Sequence, residues 1–321
     1  EPKTMQYSPV NAWYLAEAAF LAYTHPGFAR MAAALAGFTE FRFFGGLTTE
    51  CFAAWNKKYA VIAFRGTELR STSAAAEILT DLNAFPVDFS EGGRVHKGFL
   101  NALDEIWDGE DGLEALLTEL LAEKPGCPLW LTGHSLGGAL ASLAFARIKK
   151  AAGLYLYGSP RTGNSEFAAL FEGKPVFRVE NAGDPIIRIP LESGKKKESF
   201  THIGTPVYIS KEGAVSFDRP DEGFNYHKKA AEKTIKGQLK KTVSLAGRTV
   251  KKLSPGGRKD SQPVSAKDLS RGLLGEWGTH FSLAAEDWSG YFKSLEKMTK
   301  LSLDRHAPVY YAVHLWNALM R

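Results

Sequence analysis

The pentapeptide GHSLG at residues 133–137 lies between a short apolar run and a run that favours a helix. Pro128–Thr132 has the composition of a strand, and Leu136–Lys149 consists largely of small and apolar residues without proline. Gly-x-Ser-x-Gly in this context indicates a nucleophile elbow, a tight turn that exposes a serine hydroxyl at the edge of a sheet. The glycines that flank the central residues remove side chains that would clash in such a turn.

The chain has 321 residues, of which 44% are hydrophobic, so it can bury the core of one large α/β domain with or without an insertion. Strand-like and helix-like segments alternate from about residue 59 to residue 190. This alternation predicts a mostly parallel central sheet with helices on both faces. We predict a single domain over residues 1–321, and no membrane-spanning helix because no run of about 18 apolar residues occurs.

Periodicity and turn residues also predict the individual elements. Residues 8–37 favour a helical region with a break at 25–27, and residues 99–124 favour an amphipathic helical region broken near 109–112. The predicted strands lie at 38–44, 50–55, 59–65, 154–157, 176–180 and 205–209. Residues 68–86 are small and polar and only weakly helical.

The positive charge of the chain is concentrated in one segment. Residues 228–260 carry eleven Lys or Arg against two acids, a net charge of +9, whereas the whole chain carries +5. The rest of the chain is therefore acidic. Residues 211–275 are rich in Lys, Gly and Ser, with apolar residues at helical spacing, which predicts a basic helical insertion within the domain.

A serine hydroxyl is a weak nucleophile at neutral pH, so it needs a base, and the base needs an orienting acid. In hydrolases with this elbow, an Asp or Glu and then a His follow the serine along the chain. Asp184 is the best candidate acid because it follows an apolar strand and lies in a turn fixed by Gly183 and Pro185. Carboxyl ends of parallel strands share one edge of a sheet, so we expect Ser135 and Asp184 at the same rim. The alternative is an Asp that only caps its own turn.

Several histidines follow Asp184, and they are His202, His227, His280, His306 and His314. His306 is the leading candidate base because it precedes an apolar final helix, and a loop residue there can reach the sheet edge. His202 precedes a strand and is an alternative, and His280 lies in a Gly-Thr-His turn. We expect His227 to be a solvated surface residue and His314 to pack inside the final helix.

An oxyanion needs hydrogen-bond donors that point at it. The N–H of Leu136, at the start of the helix after the elbow, is one candidate. Thr67 follows a strand-like run and Gly66, and it offers both its N–H and its hydroxyl. The alternative role of Thr67 is that of a helix N-cap.

Five segments in a fixed order carry a resemblance to a known family: FRGT (64–67), VHKGF (95–99), GHSLGGA (133–139), GSPRTGN (158–164) and NAGDP (181–185). This set resembles the class 3 lipases, which comprise the fungal-type triacylglycerol lipases and their bacterial and plant phospholipase relatives. The resemblance covers about residues 55–210 and the tail from residue 304.

The resemblance implies an α/β-hydrolase-type fold and no cofactor. It also implies a triad of Ser135, Asp184 and His306, with an oxyanion hole formed by Thr67 and Leu136. Residues 68–86 correspond to the lid of the family, although this loop is mostly small and polar here. His96 matches a family position outside the triad, and we expect it to be structural.

We therefore expect a serine carboxylester hydrolase that acts on lipids, with triacylglycerol and phospholipid both open as substrates. A soluble esterase for short-chain or aryl esters is one alternative, and a lipid-surface-binding protein with secondary catalysis is another. We expect an anionic membrane or lipid surface as a partner of residues 228–260, and no nucleic acid. A secreted or membrane-surface location is the favoured one.

Overall fold

The computed structural model describes residues 6–67, 86–148, 150–184, 186–190, 199–218 and 306–320. These residues belong to one compact unit, which comprises residues 1–220 and 299–321. The basic segment 228–260, His227, His280 and residues 68–85 of the lid-like loop lie outside the described residues. Within the described ranges, no helix is both long enough and apolar enough to cross a bilayer.

The central element of this unit is a large, mostly parallel sheet. The strands of the described residues, in chain order, are β1 (Glu40–Gly45), β2 (Glu50–Trp55), β3 (Ala60–Phe64), β4 (Pro86–Asp88), β5 (Arg94–His96), β6 (Leu129–His134), β7 (Gly153–Tyr157), β8 (Gly163–Asn164), β9 (Val176–Asn181), β10 (Phe200–Thr201), β11 (Thr205–Ile209) and β12 (Val215–Ser216). Eight strands form the central sheet in the order β1-β2-β3-β6-β7-β9-β11-β12. The run from β3 to β11 is parallel, whereas β1, β2 and β12 are antiparallel to their neighbours. The predicted fold class is confirmed.

Helices cover both faces of this sheet. They are α1 (Pro9–Leu21), α2 (Pro26–Leu35), α3 (Lys97–Trp107), α4 (Leu113–Glu123), α5 (Leu136–Arg147), α6 (Ser165–Ala169) and α7 (Pro308–Met320). On one face, α1 and α7 pack together and share a buried cluster with alternate residues of the central strands, among them Val61, Trp130 and Val179. On the other face, α5 packs against β3, β6 and β7, and α3 packs against α5.

The predicted elements agree with the observed ones where the sequence pattern is long. The first three predicted strands match β1, β2 and β3 to within two residues. The predicted breaks at 25–27 and 109–112 separate α1 from α2 and α3 from α4. A second sheet, in the order β10-β8-β5-β4, was not predicted, because strands of two or three residues carry no readable period. The first residues of the expected insertion complete the central sheet, since β12 pairs with β11.

Leu131 tests how much of the stability comes from the central strand. Its side chain is fully buried in β6, in the middle of the sheet. We expect Leu131→Ala to lower the free energy of unfolding by about 2–5 kcal/mol, because it leaves a cavity that the neighbouring strands cannot close. The matched control is Leu47→Ala, at a side chain that is 97% exposed, where the change should stay within about 0.5 kcal/mol. Equal losses in urea titrations of the two variants would contradict this prediction.

Candidate active site

Ser135 lies at the junction of β6 and α5 in a strained backbone conformation. Its φ is 58° and its ψ is −129°, and it is the non-glycine residue with positive φ within the described part of the chain. The N–H of Ser135 donates to the carbonyl of Tyr157 at 2.9 Å, which fixes the turn to β7. Strain of this kind persists where the surrounding structure enforces it, and it is the geometry of a nucleophile elbow.

Two glycines permit the close packing of this turn. A Cβ on Gly133 would lie 2.1 Å from the carbonyl oxygen of Gly137, and a Cβ on Gly137 would lie 2.2 Å from the carbonyl oxygen of Phe64. Any side chain at either position would therefore force β6, α5 or β3 apart. The first turn of α5 lies against the end of β3. The backbone after Ser135 is therefore close to the segment that leads from β3 to Thr67, a predicted oxyanion residue.

Asp184 is fully buried beyond the end of β9 and uses both carboxylate oxygens. Its Oδ1 accepts from the N–H of Ile186 at 2.8 Å and so caps the short 3-10 turn that follows. Its Oδ2 accepts from Nδ1 of His306 at 2.8 Å and from the hydroxyl of Tyr311. The turn-capping role and the role beside a histidine, considered as alternatives in the sequence, are both present in one side chain.

His306 is the histidine that the structure brings to Asp184, and it is only 1% exposed. A carboxylate accepts hydrogen bonds, so Nδ1 of a neutral His306 carries the proton and Nε2 is left as an acceptor. Within the described residues, Nε2 is buried and has no hydrogen-bond partner. An unpaired acceptor in a buried site is the feature that a general base needs.

The backbone around Ser135 lies directly against His306. Nε2 of His134, the residue before Ser135, is 2.6 Å from the carbonyl oxygen of His306. A Cβ on Gly158, which follows the Tyr157 carbonyl that binds Ser135, would lie 3.1 Å from Cε1 of His306. The three predicted residues Ser135, Asp184 and His306 therefore share one small buried region at the carboxyl ends of the strands.

No sequence pattern indicates the role of Tyr311. Its hydroxyl donates to Asp184 and accepts from the N–H of Asn181 at 3.3 Å. Burial and, secondly, the negative charge of Asp184 raise the pKa of the Tyr311 phenol well above its ordinary value. Tyr311 thus remains a hydrogen-bond donor to the carboxylate. It lies five residues after His306 in an apolar helix, and the pattern there predicts core packing alone.

The two predicted oxyanion residues lie at the same edge of the sheet. Leu136 is the first residue of α5, where backbone N–H groups have no partner within the helix. Thr67 is exposed and follows Gly66, where a Cβ would lie 3.1 Å from Cβ of Ser135. The backbone N–H of Arg65 donates to the carbonyl of Glu50 at 2.9 Å, which fixes this strand end.

The other described histidines have different partners. Nε2 of His202 is 2.6 Å from the carbonyl oxygen of Ile187. His314 is half-buried, and its ring lies beside Gly213 in the turn between β11 and β12. His96 accepts from the N–H of Phe99 at 3.3 Å and caps α3, which agrees with the structural role expected for it.

Gly158 tests the packing of the site independently of any reaction. It has a φ of +55°, and a Cβ there would lie 2.8 Å from Asp184 Oδ2 and 2.9 Å from the hydroxyl of Tyr311. We expect Gly158→Ala to reduce the free energy of unfolding by more than Gly173→Ala. Gly173 has a φ of +70° with nothing within 4 Å, so its variant has only the backbone cost of about 1–2 kcal/mol. Equal costs for both variants in denaturant titrations would show that the site tolerates displacement.

Residues 61–194 match the family described as Lipase (class 3). The chain is 37% identical over 108 residues to Secreted mono- and diacylglycerol lipase 1 of Fusarium solani, an alignment that covers 32% of each chain. It is 30% identical over 167 residues to a lipase of Rhizomucor miehei, with 48% of this chain and 43% of that relative covered. The chain thus spans less than half the length of these curated relatives.

Among solved structures, lipase II from Rhizopus niveus matches 64% of this chain and 83% of its own chain, with a TM-score of 0.49 and 22% sequence identity. The segment matched to the family contains the elbow with Ser135 and the turn with Asp184. The family match and the curated relatives agree with the resemblance in the sequence motifs. Residues 61–194 of this chain are thus similar to the class 3 lipases.

Proposed function

We propose that this protein is a serine carboxylester hydrolase in which Ser135 is the nucleophile, His306 the base and Asp184 the orienting acid. The observation that carries the proposal is the buried 2.8 Å hydrogen bond between Asp184 Oδ2 and His306 Nδ1, next to a serine held at positive φ. This arrangement gives a weak nucleophile a base and gives the base a fixed tautomer. The match of residues 61–194 to the class 3 lipases supports the same chemistry.

The reaction begins when Oγ of Ser135 attacks the carbonyl carbon of the ester. Nε2 of His306 takes the hydroxyl proton as the bond forms, and Asp184 stabilises the resulting imidazolium through Nδ1–H. The ester carbonyl oxygen becomes an oxyanion. Because the site is buried, the fixed charge of Asp184 acts at low effective dielectric and interacts more strongly than it would in water.

The oxyanion is bound by the N–H of Leu136 and by Thr67. The support for Leu136 is its position as the first residue of α5, where the helix dipole favours a negative charge. The support for Thr67 is its place beyond Gly66, which packs against Cβ of Ser135. Loss of one such donor typically costs about 10²–10³ in rate.

Collapse of the tetrahedral intermediate breaks the bond to the alcohol, and His306 returns the proton to the leaving oxygen. Ser135 is then esterified by the acyl group. A water molecule attacks this acyl-enzyme while His306 accepts its proton, and a second collapse releases the carboxylic acid and restores Ser135. Each half-reaction uses the same base and the same oxyanion donors.

A lipid ester is the substrate class that we infer for this site. Curated relatives are named mono- and diacylglycerol lipases, which favours a glyceride ester. Exposed apolar side chains on α2 add to this, since Phe28 is 53%, Met31 54% and Leu35 83% exposed along one helix face. This helix starts shortly after Tyr23, whose hydroxyl lies against Gly66 at the site. An exposed apolar patch next to a site is typical of contact with lipid.

A soluble esterase would use the same catalytic residues, so the dependence of activity on acyl-chain length separates the two functions.

The names of several relatives include the word secreted, and we infer a secreted location for this protein as well. The basic segment 228–260 fits such a role, because a cationic amphipathic segment binds anionic lipid surfaces.

The triad is tested by three variants assayed on p-nitrophenyl esters of increasing chain length. We expect Ser135→Ala and His306→Ala each to lose about 10⁴–10⁶-fold in kcat, with the double variant no worse, because triad members act as a unit. Ser142→Ala is the matched control. Ser142 is buried in α5 and donates to the carbonyl of Gly138 at 2.8 Å, away from the triad contacts, so its variant should retain turnover.

Activity of Ser135→Ala above a few per cent of wild type would refute the assignment of the nucleophile. A His202→Ala variant as inactive as Ser135→Ala, combined with an active His306→Ala, would refute the assignment of the base. A preference for short soluble esters over long emulsified ones would favour the esterase over the lipase.

The basic segment is tested by vesicle binding. We expect affinity to rise with anionic lipid content and to fall between about 0.05 and 0.5 M salt, because each Lys near such a surface contributes about 1 kcal/mol and salt screens it. Vesicle binding should weaken when six lysines of the segment are replaced with Gln: Lys228, Lys229, Lys233, Lys236, Lys240 and Lys241. Hydrolysis of a water-soluble ester should barely change.

A control variant tests the effect of net charge alone. It replaces six exposed lysines outside the segment with Gln: Lys57, Lys58, Lys97, Lys150, Lys174 and Lys211. Binding that is insensitive to salt and to the first set would remove the membrane-surface role. Equal weakening by both sets would assign the effect to net charge and not to this segment.

A further inference from the structure

The side chain of His134 is buried between two partners that the reaction itself does not use. It is 2% exposed and lies immediately before Ser135. Its Nδ1 is 2.8 Å from the hydroxyl of Tyr23, and its Nε2 is 2.6 Å from the backbone carbonyl oxygen of His306. One imidazole therefore links the end of α1, the elbow and the backbone of the proposed base.

The partners of His134 determine its tautomer. A carbonyl oxygen only accepts hydrogen bonds, so Nε2 of His134 carries the proton that it shares with His306. Nδ1 of the neutral ring is then an acceptor, and the Tyr23 hydroxyl donates to it. Both ring nitrogens are satisfied in this state, and the opposite tautomer would place two acceptors against each other at the carbonyl.

Burial maintains His134 in this neutral form. Desolvation first, and the proximity of His306 second, lower the pKa of His134 well below its ordinary value, and its hydrogen bond to the His306 carbonyl opposes this shift. The two imidazole rings are tilted by 38° with centroids 4.5 Å apart. A neutral His134 leaves the positive charge of the reaction to His306 alone.

We propose that His134 is a positioning residue for the base: its Nε2–H holds the backbone of His306 at the elbow, and Tyr23 fixes the tautomer that can do so. This inference rests on the proposed function, because it assigns His134 a part in the transfer of a proton between Ser135 and His306. His306 is then held at two points, its ring by Asp184 and its backbone by His134.

Two-point attachment matters because the base and the nucleophile are far apart in the chain. The hydrogen bond from His134 to His306 spans 172 residues, and the one from His306 to Asp184 spans 122 residues. The Asp184 bond orients the ring of His306, and the His134 bond holds its backbone carbonyl. A displacement of about 1 Å between reacting groups is enough to cost about 10²-fold in rate.

Two substitutions of His134 separate positioning from packing. The amide nitrogen of Gln reaches the position of Nε2 and can donate to the His306 carbonyl, whereas the shorter side chain of Asn cannot. We expect His134→Asn to lower kcat on a soluble short-chain ester by about 10–100-fold with KM changed less than about twofold. We expect His134→Gln to recover most of that loss.

Tyr23 provides a second, independent variant. Tyr23→Phe removes the donor to Nδ1 and should lower kcat several-fold in the wild-type background, but it should add nothing in the His134→Asn background, since both act through one ring. The matched control is Tyr14→Phe, which removes a 2.9 Å hydroxyl contact between Tyr14 of α1 and Tyr59. Tyr14→Phe should leave kcat unchanged.

The outcomes distinguish this inference from the proposed function. Absence of esterase activity in the wild type, or full activity in Ser135→Ala, overturns the proposed function itself. An active wild type and an inactive Ser135→Ala, with His134→Asn retaining full kcat, overturn the positioning role alone. The positioning role is also overturned if His134→Gln loses as much kcat and as much melting temperature as His134→Asn, because a packing defect then explains both losses. Should His134→Asn fail to fold, equal kcat values for Tyr23→Phe and Tyr14→Phe overturn it.

Discussion

The close approach of three backbone segments at Ser135 is the constraint on which the rest of the structure depends. β6 ends there, α5 begins there, and the end of β3 lies against the first turn of α5. Positive φ at a serine costs of the order of 1–3 kcal/mol, and it persists because the parallel strands on both sides hold the turn. The same packing places the N-terminus of α5, which begins at Leu136, at the edge of the sheet next to Ser135.

The strand order of the central sheet explains why Asp184 lies at the same sheet edge as Ser135. β6, β7 and β9 are neighbours and run parallel, so the turns that follow them lie side by side at one edge. His306 comes from outside the sheet and gains no such placement from strand pairing. Hydrogen bonds must position it instead, and the described ones run from its ring to Asp184 and from its backbone carbonyl to His134.

Strand pairing and single side-chain hydrogen bonds also differ in how well the sequence predicts them. β6, α5 and the strands from β1 to β3 have long apolar patterns, and the elbow has a motif, so all of these were predicted. Asp184 and His306 were predicted from chain order and flanking elements. The contacts of Tyr23 and Tyr311 were not predictable, because a hydroxyl that bonds across 111 or 127 residues leaves no period or spacing in the sequence.

Buried tyrosines show how an apolar helix layer acquires a unique register. The hydroxyl of Tyr155 accepts from the N–H of Ser8, that of Tyr157 donates to the carbonyl of Ala12, and that of Tyr311 donates to Asp184. Apolar contacts alone would let α1 and α7 slide along the sheet at little cost. A buried hydroxyl left without its partner costs about 1–3 kcal/mol. One position of α1 satisfies the hydroxyls of Tyr155 and Tyr157, and one position of α7 satisfies the hydroxyl of Tyr311. The helix that follows His306 is therefore fixed by polar contacts inside the core. The position of His306 relative to Asp184 and Ser135 depends on these contacts.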